Sequence, residues 1–152
     1  MDMLSSPREG TCRCGQIRMK ISARPIGTFA CHCRECQRMS SSAFSLTAMV
    51  PAEGFEVIAG EPVQGGARSP GIDHYHCPHC MSWLFTRVAM MPQCVNVRST
   101  MFDEPDWCVP FAETMTREKL SWVTTPATYS YEGFPPPEEF PVLLSEYAAA
   151  SS

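Results

Sequence analysis

Cys31-His32-Cys33-Arg34-Glu35-Cys36 sets three thiols within one short stretch, and Cys12-Arg13-Cys14 and Cys77-Pro78-His79-Cys80 flank it on either side. Two cysteines one or two residues apart can turn both sulfurs onto a single ion. Thiolates suit zinc, which prefers four ligands in a tetrahedron. A lone C-x-x-C also serves as a redox pair. Three clusters that hold seven of the chain's nine cysteines point instead to metal.

One pair joined to another completes a closed four-sulfur site, the usual structural arrangement, whereas the triplet leaves a fourth position open, as chemistry requires. The most economical partition joins Cys12 and Cys14 with Cys77 and Cys80 and gives Cys31, Cys33 and Cys36 an ion of their own. Spacing alone also allows the triplet to borrow a cysteine from either pair. Cys94 and Cys108 lie outside the clusters and read as small buried hydrophobes. His32, His74, His76 and His79 stand beside the cysteines, and since seven thiolates suffice, packing or support of the ligands is the role assigned to them.

Between the clusters the chain reads as short strands. Gln16–Ile21 alternates polar and apolar residues, as do Cys94–Arg98, and Ala43–Val50, Phe55–Ile58, His74–Cys77 and Trp83–Phe85 are further strand segments. Gln64–Ala67 reads as a turn. Fourteen prolines and nine glycines favour short elements over long helices. Thr114–Val123 and Pro136–Ala150 are the helix candidates, the second with Pro141 forcing a short or late start. The organisation expected is a flexible leader over 1–9, a zinc-binding domain over 10–132 and a Pro-rich C-terminal tail, helical or irregular, over 133–152.

Composition narrows the function classes. An apolar fraction of 44% over 152 residues allows a real core. The formal charge is −4, from 12 Lys and Arg against 16 Asp and Glu, and no two basic residues are adjacent, which argues against a nucleic-acid partner. The N-terminal stretch has no apolar core of a signal peptide, and no apolar run approaches the roughly 20 residues of a membrane span. An odd number of cysteines argues against a fully paired disulfide framework. Together these lead to an expectation of a cytoplasmic protein without a membrane partner. The oligomeric state is not legible.

The motifs carry a family resemblance. Gly10-Thr11-Cys12-Arg13-Cys14-Gly15-Gln16-Ile17-Arg18, then CHCRECQRMSSSAF from Cys31 to Phe44, then HCPHCMSWLFTR from His76 to Arg87 resemble, in this order, the three signatures of the glutathione-dependent formaldehyde-activating enzyme family, which also includes centromere protein V. Val95–Val97, Met101–Pro105 and Trp122 extend the likeness, which runs from about Gly10 to Trp122. It implies a mainly β fold, the β-tent of packed antiparallel sheets with zinc-binding loops. It also implies that Cys12, Cys14, Cys77 and Cys80 hold a structural zinc, and that Cys31, Cys33 and Cys36 hold a second, catalytic one. Met81 and Ser41 depart from the family pattern, which has glycine at both places; a glycine there often serves a left-handed backbone, so an altered local geometry is expected.

The activity implied is a carbon–sulfur lyase resembling S-(hydroxymethyl)glutathione synthase, with glutathione, or another small thiol, and formaldehyde, or another small aldehyde, as partners. Gln37, Arg38 and Ser42 follow the triplet closely and are the substrate-binding candidates, Arg38 as a partner for a carboxylate. The alternative is a non-enzymatic zinc-binding module for protein interaction on the same fold.

Overall fold

The fold is seen in a computed structural model, which describes residues 3–66 and 69–151. It is mainly β, with eleven strands and two helices among the described residues. Two compact units make up the chain: Met1–Pro25 with Met49–Pro105, and Ile26–Ala48 with Asp106–Ser152.

The first unit contains two sets of strands. In one, β1 (Met3–Thr11), β2 (Arg18–Ala23) and β5 (Phe55–Ala59) lie antiparallel in that order, with Gly10 opposite Met19 and Met19 opposite Val57. The side chains of Met19, Ile21 and Ala23 are fully buried at alternate positions, the period-two pattern of a half-buried strand. A Cβ on Gly10 would sit 2.6 Å from the Met101 carbonyl oxygen, so only glycine lets β1 come this close to its neighbour.

The other set is an antiparallel meander of β6 (Val63–Gly65), β7 (Ile72–His76), β8 (Trp83–Val88) and β9 (Cys94–Arg98). Leu84, Val95 and Val97 are buried, and Phe85 packs between Phe55 and Tyr75 at ring-centroid distances of 4.9 and 4.7 Å. Burying each such side chain contributes about 1.5–3 kcal/mol, and that is what holds the strands' register.

In the second unit β11 (Tyr129–Ser130), β10 (Ala112–Thr114), β3 (Gly27–Cys31) and β4 (Ser45–Pro51) follow one another, β4 beginning here and ending in the first unit. β10 runs parallel to both β3 and β11, with Ala112 opposite Phe29 and Tyr129. Helix α1 (Arg34–Ser40) follows β3 directly. Helix α2 (Phe140–Ser151) turns Leu143 and Tyr147 inward; Phe140 stacks on Phe29 at 6.4 Å and Tyr147 meets Phe111 at 5.6 Å.

Several expectations are corrected. Residues 3–9, read as a flexible leader, form most of β1: the alternation is hidden there by serines and a proline, and pairing with β2 supplies the order. Gln64 and Gly65, read as part of a turn, fall in strand β6 (Val63–Gly65), and Ala67 lies outside the described residues. Thr114–Val123 is no helix; only Thr116–Glu118 makes a 3-10 turn, because Met115 takes a left-handed conformation as the chain leaves β10. In the tail, α2 starts at Phe140, so Pro141 falls in the first turn, where its missing N–H costs nothing.

The backbone at Ser41 and Met81 is left-handed, with φ of 51° and 60°. The geometry a glycine would serve is therefore kept, and these two side chains bear the strain. Left-handed backbone costs a non-glycine residue about 1–2 kcal/mol, against about 0.5–1 kcal/mol of extra unfolded-state freedom for glycine. Met81 is 59% exposed, so little packing is lost with it. Met81→Gly is expected to raise the denaturation midpoint of the zinc-loaded protein, by about 0.5–1 kcal/mol; a lowered midpoint would show that the methionine makes contacts worth more than the strain.

Candidate metal centres

Two tight turns build the first centre. After β1, Cys12 N–H donates to the Ile17 carbonyl, Gly15 N–H returns to the Cys12 carbonyl, and Gly15 takes φ of 81° to close the loop. The Ile17 amide points at Cys12 Sγ from 3.3 Å. After β7, Met81 N–H donates to the Cys77 carbonyl, Cys77 N–H to the Ser82 carbonyl, and the Cys80 amide lies 3.5 Å from Cys77 Sγ. Arg13 N–H donates to Ser82 Oγ at 3.1 Å and ties the two turns together.

The sulfurs of Cys12, Cys14, Cys77 and Cys80 all lie within 4.8 Å of one another. Cys12 and Cys14 are 3.5 Å apart, and Cys14 and Cys77 3.7 Å. Four thiolates about 2.3 Å from one zinc ion stand about 3.8 Å from each other. The donor set therefore fits zinc in number, type and spacing. No disulfide links any of the nine cysteines.

Ionisation is shared unevenly across this cluster. Burial resists charge on Cys80, but hydrogen bonds from the Ser82 hydroxyl and amide pull its pKa to about 5. The backbone bond at Gln16 favours the Cys14 thiolate, yet burial and its three sulfur neighbours push it up to about 11. Thiols this close cannot all ionise without a cation among them, and that is the condition a metal meets.

The second centre sits where β3 passes into α1. Cys31 ends the strand, Cys33 is the N-cap of the helix, and Cys36 lies in its first turn, its amide donating to Cys33 Sγ at 3.3 Å. These three sulfurs also lie within 4.8 Å of one another. The hydrogen bond from Cys36 holds Cys31 at about 5 against the opposing effect of burial, with the Cys33 amide and Thr114 hydroxyl assisting. Cys36 is pushed far upward by the same bond, by burial and by the charge on Cys31. The three thiols thus compete for charge, which falls most readily on Cys31.

Helix α1 bears other sequence-predicted residues. Arg34, Gln37, Arg38, Ser41, Ser42 and Ala43 line one side of a groove of about 390 Å³, which Leu120 and Trp122 close on the other. Arg38 and Ser42 are exposed there. Gln37 is buried, and its amide nitrogen donates to the carbonyls of His32 at 2.8 Å and Glu118 at 3.1 Å. Its side chain thereby ties the turn behind the triplet to the segment that carries Glu118. Arg34, Leu120 and Trp122 were not expected at a groove; Trp122 is 77% exposed, and only the three-and-four spacing of Arg34, Gln37, Arg38 and Ser41 on a short helix signals their shared face.

The histidines take no place in either sulfur group. His74 accepts or donates at Thr86 Oγ1, 2.8 Å away, beside the Trp83 indole, which also reaches Thr86. His76 is buried against Gly65, and His79 is exposed. His32 is completely buried, and burial lowers its pKa against the pull of Glu113. Cys94 and Cys108 are both buried away from the clusters.

A family model described as glutathione-dependent formaldehyde-activating enzyme matches residues 7–118, which include all seven clustered cysteines. The chain belongs to the glutathione-dependent formaldehyde-activating enzyme family. Among solved structures, a protein from Rhodobacter sphaeroides is similar in fold, with a TM-score of 0.53 at 17% identity, covering 63% of this chain and 88% of that one. No curated protein matches the chain. Membership of the formaldehyde-activating family accords with the mainly β architecture and with two cysteine groups suited to zinc. No helix among the described residues is long and apolar enough to cross a membrane.

Proposed function

We propose that the protein is a zinc-dependent carbon–sulfur lyase-type enzyme that handles the thiol adduct of a small aldehyde, resembling S-(hydroxymethyl)glutathione synthase. The observation that carries this reading is the inequality of the two sulfur groups: four thiols complete one set, whereas three leave the other a ligand short. Cys12, Cys14, Cys77 and Cys80 are assigned to a structural zinc, and Cys31, Cys33 and Cys36 to a catalytic one. When bound at the triplet, zinc would supply an open position at which a thiol gives up its proton.

In net terms the S–H of the thiol adds across the aldehyde C=O, sulfur bonding to carbon and the proton passing to oxygen. The chain's residues hold the thiol for this. Arg38, exposed in the groove on the helix that carries Cys36, meets a substrate carboxylate, and Ser42 offers a hydroxyl beside it. The Trp122 indole walls the opposite side. Gln37 keeps the turn rigid by gripping His32 and Glu118.

Calorimetry on the zinc-loaded protein tests the reading: glutathione is expected to bind in the millimolar range or tighter. A charge-assisted contact is worth about 1.5–3 kcal/mol, less where solvent screens it, so Arg38→Ala is expected to weaken binding about tenfold. The glutathione diester, which lacks the carboxylates, should be indifferent to that substitution. If neither glutathione nor any other small thiol binds at millimolar concentration, the proposed activity is wrong.

A further inference from the structure

We infer that the buried Glu113–His32 contact, anchored by Lys119 and Thr125, is a positioning device that sets the Cys31 and Cys33 sulfurs for metal. The inference rests on reading the triplet as a metal site.

In the chain His32 stands between two of the triplet's three cysteines, held by hydrogen bonds at its backbone and by packing and a close carboxylate at its ring. Its backbone N–H donates to the Thr114 carbonyl at 3.0 Å, and its carbonyl accepts from Gln37 at 2.8 Å. The ring is inaccessible to solvent and meets Phe44 edge-on at 5.3 Å. Its Nε2 lies 3.3 Å from Glu113 Oε1, a close contact without the geometry of a formed hydrogen bond. Side chains alternate along extended chain. Fixing the ring on one side therefore aims Cys31 and Cys33 at the other.

Glu113 is itself held. Its side chain is 4% exposed, and its carboxylate accepts from Lys119 Nζ at 2.8 Å and from the Thr125 hydroxyl. These bonds hold its pKa low although burial opposes them. A buried ionic group is a poor source of stability, since packed apolar residues of the same volume serve equally well or better. What such a group does supply is a fixed orientation. Here it is delivered to the one residue whose neighbours on both sides are cysteines of the triplet. None of these residues is a metal ligand; they act through the cysteines, as the groups behind metal ligands do elsewhere.

The test is titration of Co²⁺ into the metal-free full chain, followed by Zn²⁺ competition, with the four-cysteine group as internal reference. Charge-transfer and visible bands report the thiolates at each site separately once Cys36→Ser has identified the triplet's share. Glu113→Gln is expected to weaken the triplet's metal affinity about tenfold to a hundredfold and to shift its visible bands, with the four-cysteine site unchanged. Glu113→Gln combined with Lys119→Met restores charge balance and guards against a variant that fails to fold. It should regain stability while the triplet's affinity stays low. Unchanged triplet affinity in Glu113→Gln, or affinity restored together with stability in the double variant, overturns the positioning role while leaving the metal site itself standing. Wild-type protein that takes up a single ion, with no change on Cys36→Ser, removes the metal site and this inference with it.

Discussion

Cys80→Ser is expected to unfold the unit that carries the four-cysteine group, not merely to lower activity. The sulfurs in that group come from two turns, and Cys14 and Cys77 are 63 residues apart. Closing a flexible loop of that size costs roughly 4 kcal/mol in chain entropy. Structural zinc in small domains contributes about 10–16 kcal/mol at neutral pH, as large as the whole stability of a typical domain, about 5–15 kcal/mol. The remaining core is centred on Met19, Ile21, Leu84, Val95 and Val97, all carried on short strands. The cooperative melting transition should disappear from the circular dichroism curve, and one zinc should be lost by elemental analysis. A Cys80→Ser protein with full zinc and an unchanged melting temperature would mean that the four sulfurs are not a structural site.

Cys36→Ser is expected to do the opposite: to keep the fold and remove the chemistry. The core of the second unit is built around Phe29, Phe111, Phe140, Leu143 and Tyr147, whereas the triplet's cysteines are only half-buried. The Cys36 amide still donates to Cys33 Sγ, so the first turn of α1 keeps its cap. Zinc content should fall from two to one, and the melting temperature should move by only a few degrees, as for about 1 kcal/mol in a chain this size. Catalysis of thiol addition should fall by more than about a hundredfold, the upper end of what losing a group behind the ligands costs. Retention of two zincs, or activity within a few-fold of wild type, would place the reaction elsewhere.

The metal-binding pattern was the legible part of the sequence, because it is a matter of residue type and short spacing. C-x-C, C-x-C-x-x-C and C-x-x-C name their residues without any knowledge of the fold. The pairing of Cys12 and Cys14 with Cys77 and Cys80 was open on spacing, and the two turns tied by Arg13 and Ser82 bring those four sulfurs together. Strand β2 was legible because Met19, Ile21 and Ala23 alternate with polar residues. β3 and β10 were not: five and three residues, paired parallel across a long stretch of sequence, leave no local period to read. Helix α1 was hidden for a different reason. Its seven residues show no apolar stripe, and its cap is a cysteine rather than a serine or aspartate.

The groups behind the triplet were the least legible. Glu113, Lys119 and Thr125 have no motif, and a lone acidic residue between Ala112 and Thr114 reads as a surface position. Only the parallel register of β10 on β3, with Glu113 opposite Ala30 and Thr114 opposite Cys31, brings it beneath the cysteines.

That register also governs how the protein is made. The ribosome releases Cys31, Cys33 and Cys36 about eighty residues before the strand that pairs with Cys31, since β10 begins only at Ala112. Through that interval three closely spaced thiols lack strand β10, its Thr114 hydroxyl and the carboxylate behind His32. A nascent chain in this condition is open to disulfide formation among its own cysteines or to capture of the wrong metal. The order of synthesis thus sets a window in which early zinc supply, or a reducing environment, decides whether the second centre is assembled at all.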